Sequence, residues 1–316
     1  MQGISVVIPY YNDSSVFRRT LESILNQTLL PKEVIIVDDC SNDSQILKEI
    51  VSSFNVPFEI LLYRNTENKN GAYSRNFGIR KSKYDYIALL DADDYWGNYH
   101  LEESIFLLEN FDCDFIYSNI VKDYNNGELI KIKVTNHEIL HNKNDILFKQ
   151  PPQTNSFFFK RDKLDLLNIS FDERLRRHQD WKFLLDVLNS DLNVKYLDSY
   201  NTFYCESIKE FSIRVNYDSI FLFWSENEDK FTRYNVYKVY LKFLVDVYFY
   251  EGPEKVNLYI EKYNIYKSIK RLMGFIMMIC GGEKRRFKFF IKTLYYFLFS
   301  PKLILKIMKL KFYMNK

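Results

Sequence analysis

The stretch Tyr86-Ile87-Ala88-Leu89-Leu90-Asp91-Ala92-Asp93-Asp94 decides the fold. Its apolar half reads as a buried strand. The three acids that follow repel one another unless a cation or a positive group sits between them. The same arrangement recurs upstream, where Glu33-Val34-Ile35-Ile36-Val37 runs into Asp38-Asp39. Further out, Ile4-Ser5-Val6-Val7-Ile8 stops at Pro9 and reads as another buried strand, as does Phe58 to Tyr63. Residues 14–27 carry Val16, Leu21, Ile24 and Leu25 near helical spacing, and 44–53 and 72–81 also read as helices. Strands alternating with helices imply a mainly parallel sheet with right-handed crossovers. Ligands of such open sheets bind beyond the carboxyl ends of the strands, where Asp38, Asp39, Asp91 and Asp93 all fall. Four acids at one sheet edge are hard to explain as solvated decoration.

Downstream the pattern becomes mixed. Asp114 to Ser118, Leu129 to Val134, Phe157 to Lys160, Val194 to Leu197 and Thr202 to Cys205 read as strands, and 179–189 as a helix with Phe183, Leu184, Val187 and Leu188 on its apolar face. Beyond about residue 210 strand signals fade into helix-like segments punctuated by Gly252-Pro253 and Gly281-Gly282. The expected organisation is an α/β domain over 1–206, split into 1–110 and 111–206, followed by a helical region over 207–316.

A chain of 316 residues with 47% hydrophobic and 27% charged residues has ample material for a core and is not globally disordered. Its net charge of +3 singles out no class of partner, and no nucleic acid is expected. Charge is segregated, however: residues 283–316 hold ten Lys or Arg against one Glu, so the rest of the chain is net acidic. A basic, aromatic, amphipathic tail of this kind either meets an anionic membrane surface or is a helical subdomain with solvated Lys-rich faces. Cys40, Cys113, Cys205 and Cys280 are scattered and form no CxxC pair, which fits a reducing cytoplasm. The N-terminus has no basic, apolar signal pattern, and the apolar run Leu272–Cys280 is too short to span a bilayer. A cytoplasmic protein, peripheral at the inner membrane face, is expected.

Four segments together carry a resemblance. Val6-Val7-Ile8-Pro9-Tyr10-Tyr11-Asn12 resembles the opening strand of family 2 glycosyltransferases. Ile36-Val37-Asp38-Asp39-Cys40-Ser41-Asn42-Asp43 is similar to that family's second motif, Asn70-Gly71-Ala72-Tyr73-Ser74-Arg75-Asn76-Phe77-Gly78 to its third, and Leu89-Leu90-Asp91-Ala92-Asp93-Asp94 to its DxD element. Each is weak alone; four in order across the first hundred residues are specific. The resemblance implies the GT-A fold, a Rossmann-like mixed sheet flanked by helices, and an inverting transfer of one sugar from a nucleotide-sugar. By resemblance, Pro9 and Tyr11 line the nucleoside pocket and Asp39 hydrogen-bonds the base, usually uracil. Arg75 then lies near the base and phosphates, Asp91 contacts the ribose or sugar side, and Asp93 ligates Mn²⁺ or Mg²⁺. Asp94 receives no role. The physical chemistry agrees: a hard cation held by carboxylates neutralises a leaving diphosphate, and a guanidinium suits phosphate oxygens. Read as residues alone, Tyr11 is equally a packing residue and Arg75 a helix-surface ion pair. Cys40 stands where the family usually has Gly, which alters the fine geometry of that turn.

The acceptor hydroxyl must lose a proton as it attacks, and Arg176-Arg177-His178-Gln179-Asp180-Trp181 resembles the family's Glu-Asp motif at a helix start. Asp180 is then the base, while Gln179 replaces Glu and removes one like charge beside it. A helix N-terminus favours the carboxylate form that a base needs. Trp181 reads either as an acceptor-side platform or as a core residue, and His178 neighbours the base. A saccharide or lipid-linked saccharide acceptor in bacterial surface-polysaccharide assembly follows by family analogy.

Other readings have less support. His137-Glu138-Ile139-Leu140-His141 is a literal HExxH, but lacks a convincing helix and third ligand. A nucleotidyltransferase would carry a Gly-rich basic loop where Pro9-Tyr10-Tyr11-Asn12 stands. A non-catalytic sugar- or lipid-binding protein has no need of the retained acids and Arg75. P-loop, GxGxxG and QxxRW patterns are absent, which favours single transfer over polymerisation.

Overall fold

The computed structural model describes residues 3–206 and 215–266 together with Ile269 and Met273. The basic tail 283–316 lies outside the described residues, as does all of the run Leu272–Cys280 except Met273. The chain divides into two compact units, Met1–Ser219 and Ile220–Lys316.

In the first unit β1 (Ile4–Tyr10), α1 (Ser14–Leu25), β2 (Glu33–Asp38), α2 (Ser44–Ser52), β3 (Glu59–Arg64), α3 (Gly71–Lys81) and β4 (Tyr86–Leu89) follow the alternation read from the sequence. Next come β5 (Tyr95–Trp96), α4 (His100–Asn110), β6 (Phe115–Ser118), β7 (Ile120–Asp123) and β8 (Leu129–Ile132), then β9 (Phe158–Lys160), α5 (Arg161–Leu166), α6 (Gln179–Asn189), β10 (Val194–Leu197) and β11 (Thr202–Cys205). Seven strands form one sheet in the order β10-β6-β9-β4-β1-β2-β3. β1 pairs in parallel with β2 and β4, and β2 with β3. β9 runs antiparallel between β4 and β6, and β10 closes the sheet parallel to β6. A second sheet, β5-β11-β7-β8, stands beside the acidic run.

The pleat explains the two faces. Val6, Ile8 and Tyr10 pack with Val34 and Ile36 against Phe17, Leu21 and Ile24 of α1 and Leu47 and Ile50 of α2. On the other face Val7 meets α3. A Cβ at Gly78 would stand 2.4 Å from Val7 Cγ1, so α3 approaches this closely only because position 78 is glycine. Phe157 and Phe159 share the face on which Phe183 of α6 stacks on Phe171 with ring centroids 4.1 Å apart.

β5, β7 and α4 go beyond the sequence reading. β5 is two residues long, below the length at which alternation is legible. β7 is separated from β6 only by Asn119, so the two read as one apolar run. Asn119 is buried and turns that corner: its amide donates to Asp198 Oδ1 (2.6 Å) and its carbonyl accepts from Val134 N and Tyr196 Oη (both 2.8 Å). α4 buries Leu101 and Leu108 but exposes Phe106, which blurs its amphipathic stripe. A 3₁₀ turn covers Lys143–Phe148. In the second unit α7 (Tyr217–Asn227, beginning in the first), α8 (Arg233–Tyr250) and α9 (Pro253–Lys262) are helical, with Phe221 stacked on Tyr259 at 4.9 Å. Pro253 opens α9 directly after Gly252, whose φ of +97° suits glycine.

Cys40 keeps the left-handed turn that a glycine would favour, at φ +62°. A Cβ in that region costs about 1–2 kcal/mol. Cys40→Gly is therefore expected to leave stability at or above that of the parent chain, whereas Cys40→Val lowers it by about 1–2 kcal/mol. Urea-denaturation midpoints of the three chains check this.

Candidate active site

The loops at the carboxyl ends of β1, β2 and β4 are tied to one another. Asp43 Oδ2 accepts from Tyr10 Oη (2.8 Å) and from Ser14 N (3.0 Å), so an acid after β2 caps the helix that follows β1. Asn12 Oδ1 accepts from Asn42 N at 2.8 Å. Beside this bracing opens a cavity of about 200 Å³ lined by Pro9, Tyr11, Asp39, Arg75, Asp91 and Asp93, with Asp13, Gly71 and Ser74. All six donor-side residues singled out in the sequence thus meet at one place. Tyr11 is 46% exposed, which makes its ring part of the cavity wall rather than of the core.

Asp39 is almost wholly buried and organises its own loop. Its Oδ1 accepts from Asn65 Nδ2 and Lys69 N, and its Oδ2 from Asn70 N, all at 2.8 Å. Asn70 in turn caps α3, its Oδ1 accepting from Ala72 N (2.8 Å) and Tyr73 N (3.2 Å). Asp38, by contrast, is held by Arg64 Nη1 (3.2 Å) and Ser41 N (2.8 Å) and does not line the cavity.

Arg75 is buried, not a helix-surface residue. Its Nη2 donates to Asp91 Oδ1 at 2.6 Å, its Nη1 to Gln179 Oε1 at 3.2 Å, and its guanidinium lies 5.4 Å from the Phe171 ring. Gln179 is aimed by its amide, which donates to Leu175 O at 2.7 Å. Gly71 is needed beneath this fork, since a Cβ there would stand 3.0 Å from Arg75 Nη1. Gln179, noticed in the sequence only as a neutral replacement, is therefore a direct partner of Arg75.

The acidic run divides its labour. Asp94 turns inward, where its carboxylate accepts from Asn155 Nδ2 (2.7 Å) and Cys205 N (2.8 Å). Burial pushes this carboxyl well above the usual range, the charges of Asp93 and Asp91 add to the rise, and the Cys205 N–H and Arg19 oppose it. Asp91 and Asp93 face the cavity. Hard carboxylate oxygens there fit Mg²⁺ or Mn²⁺, with Asp93 as the natural holder because Asp91 already serves Arg75. Among the described residues no group of three or more His, Cys, Asp or Glu is arranged to hold a metal.

Asp180 sits in the first turn of α6, next to Gln179 and within the field of Arg75. It is partly accessible to solvent yet enclosed by protein atoms, and burial raises its carboxyl above the ordinary range. The Trp181 N–H, Arg75 and its own N–H pull the other way, and Asp91 adds to the rise. The N–H groups of the helix N-terminus do favour the carboxylate, as expected, but desolvation outweighs them. A raised carboxyl lies closer to working pH, which suits a base. His178 precedes α6 in the left-handed region at φ +62° and stacks on the partly exposed Trp181 at 4.3 Å. The HExxH residues do not form a helix face. His137–Ile139 is a 3₁₀ turn, in which His137 Nδ1 meets Tyr117 Oη (2.7 Å) and Glu138 pairs with Lys195 (2.9 Å).

An open mixed sheet with helices on both faces and an acidic, arginine-bearing cavity at its carboxyl edge defines a ligand-binding α/β protein. The chain belongs to Glycosyl transferase family 2, whose family model matches residues 5–174, more than half of its length. It is 37% identical over 190 residues to the amylovoran biosynthesis glycosyltransferase AmsB of Erwinia amylovora, covering 57% of this chain and 62% of that protein. It is 36% identical over 128 residues to the UDP-Glc:alpha-D-GlcNAc-diphosphoundecaprenol beta-1,3-glucosyltransferase WfaP of Escherichia coli, covering 39% of this chain and 49% of that one. The chain thus spans less than two thirds of these curated relatives. The crystal structure of S. aureus TarS 1-349 in complex with UDP-GlcNAc superposes with a TM-score of 0.61 at 18% identity, over 79% of this chain and 73% of that one. The shared fold is the GT-A type expected from the motifs.

The raised Asp180 carboxyl has a stability consequence. The folded chain holds this proton more tightly than the unfolded one, so stability present at low pH is lost as pH rises from the unfolded value of about 4 through the raised folded value. Relative to the parent chain, Asp180→Asn is expected to gain thermal stability as pH is raised from about 4 upward. Melting temperatures of both chains across that range test the sign.

Proposed function

We propose that this chain is an inverting, metal-dependent glycosyltransferase that moves one sugar from a nucleotide-sugar, of the UDP class, to a hydroxyl of a saccharide acceptor carried on a lipid. The observation that carries this reading is the convergence of Pro9, Tyr11, Asp39, Arg75, Asp91 and Asp93, drawn from four separate motifs, on one cavity. Arg75 links that cavity to the start of α6 through Gln179, one residue from Asp180.

In this reading the nucleoside lies against Pro9 and Tyr11, with the remaining lone pair of Asp39 Oδ2 toward the base. Arg75 attracts the diphosphate, exchanging part of its contact with Asp91 for phosphate oxygens. Asp93 would hold a Mn²⁺ or Mg²⁺ ion, which when bound neutralises charge on the departing nucleotide. Asp180 takes the proton from the acceptor hydroxyl as its oxygen attacks the anomeric carbon from the face opposite the diphosphate, so no covalent intermediate is needed. Trp181 and His178 offer a flat stacked surface on the acceptor side.

The lipid-linked acceptor draws on two supports: the basic, aromatic composition of residues 283–316, and the diphosphoundecaprenol-linked acceptor in the name of the relative WfaP. Among the described residues no helix is long and apolar enough to cross a membrane, so the proposed association is peripheral, at the inner membrane face.

Asp180→Asn is expected to lower transfer by about a thousandfold or more while UDP-sugar affinity stays within about threefold of the parent. Transfer at the parental rate would overturn the assignment. Deleting residues 283–316 is expected to release the protein from vesicles containing anionic lipid, measured by co-sedimentation, and unchanged sedimentation would remove the membrane role of the tail.

A further inference from the structure

We infer that Arg19 and Thr20, consecutive residues of α1, are the positioning residues of the acidic loop: they fix the backbone of Ala92, Asp93 and Asp94 so that Asp93 presents its carboxylate to cation and diphosphate. The inference rests on the donor-site reading above.

α1 carries an unusual polar stripe. Thr20 and Ser23 of α1, with Gln27 just past its end, recur at helical spacing and are all buried, where an amphipathic helix would place apolar residues. Buried polar groups persist only with partners: Ser23 Oγ donates within the helix to Thr20 O, whereas Thr20 and Gln27 find theirs on the chain that follows β4. Thr20 Oγ1 stands 2.8 Å from both Ala92 O and Asp94 O. Arg19 Nη2 donates to Asp93 O at 2.9 Å. Two successive side chains therefore span three carbonyls of the loop, with Thr20 sharing its single hydroxyl proton between Ala92 O and Asp94 O. Gln27 continues the clamp, donating from Nε2 to Gly97 O (2.8 Å) and accepting from Leu101 N (3.1 Å).

Arg19 is itself held. Nη1 donates to Asn125 Oδ1 at 2.9 Å and lies 3.9 Å from Asp123 Oδ2, Nη2 also reaches Cys205 Sγ at 3.1 Å, and the guanidinium lies 4.8 Å from the Tyr95 ring. A planar fork of donors in fixed directions is required for this set; a lysine ammonium cannot reproduce it. The arrangement also puts a positive charge behind an acidic run whose members repel one another. With the carbonyls turned toward α1, Asp91 and Asp93 stand on the cavity side. Removal of Thr20 Oγ1 or of the Arg19 fork frees the loop to rotate, and the first property lost is the aim of Asp93.

A merely structural role would lower the stability of the ligand-free protein and weaken all binding alike; a positioning role weakens the cation-dependent part selectively. The test is isothermal titration of UDP into the full chain with and without Mn²⁺, and of Mn²⁺ at saturating UDP, for the parent, Thr20→Val, Thr20→Ser, Arg19→Lys and Arg19→Met. Thr20→Val, Arg19→Lys and Arg19→Met are expected to weaken Mn²⁺ about tenfold or more, with UDP alone changed by less than about twofold, and Thr20→Ser to restore the parental value. Unchanged Mn²⁺ affinity in the valine and arginine variants overturns the inference, as does an equal loss of UDP and Mn²⁺ binding. Should Thr20→Val fail to fold, Arg19→Lys decides by the same comparison, because it keeps the charge and the stem. A parent chain that binds UDP without any Mn²⁺ dependence removes the donor-site reading, and this inference with it.

Discussion

The contact between Arg75 and Asp91 is the constraint on which the site depends. One guanidinium, buried beneath the cavity, satisfies an acid at the end of β4 and the amide carbonyl of Gln179 at the start of α6. Without it, Asp91 would lose the guanidinium that offsets its repulsion with Asp93. With it, two elements far apart in sequence are registered to within a hydrogen bond. The neutral Gln179 matters here: it holds the arginine without cancelling its charge, which leaves a positive group for an anionic ligand.

The scaffold around that contact is built from backbone more than from side chains. Asp39 folds its loop by accepting two main-chain N–H groups and one amide, Asp43 caps a helix that is not its own, and Asp94 ties β11 to the acidic loop. Several acids at the sheet edge thus serve the shape of the site, and only some face the cavity. Acidic residues in such number at one edge are tolerable in part because Asp39 and Asp94 each have both carboxyl oxygens bonded by N–H donors.

Most of the parallel half of the sheet was legible in the sequence, because buried strands leave unbroken apolar runs and their crossover helices keep a 3.6-residue stripe. Helix α6 and strands β10 and β11 were legible to the residue for the same reason. The second sheet was not. β5 is too short to alternate, and β7 is hidden behind Asn119, whose role as a corner depends on Asp198 and Tyr196 nearly eighty residues away. In the site, motif residues could be named one by one, but their mutual contacts could not: Arg75 and Gln179 are 104 residues apart, and Arg19 and Asp93 are 74. Arg19 and Thr20 drew no notice in the sequence, where Val16, Leu21, Ile24 and Leu25 alone marked the helix. Only a polar stripe at helical spacing could have hinted otherwise. The helix N-terminus beside Asp180 was visible in sequence, whereas the enclosing protein that raises its carboxyl was not.

The single antiparallel strand of the seven-stranded sheet has a geometric consequence. β9 ends beside the start of β4, where Arg161 N donates to Asp85 O, so the chain reaches the edge of the sheet opposite the cavity and has to travel back. It does so along α3: Asn76 exchanges hydrogen bonds with the Phe171 backbone, Asn70 donates to Glu173 O, and Gln179 arrives at Arg75. α3 thereby acts as a ruler for the return path, with an asparagine at each graduation. One residue added or removed between Phe171 and Gln179 would displace Asp180 by about 3.5 Å, the length of an entire proton-transfer contact. The position of Asp180, the proposed base, is therefore set by chain length as firmly as its chemistry is by the identity of the side chain.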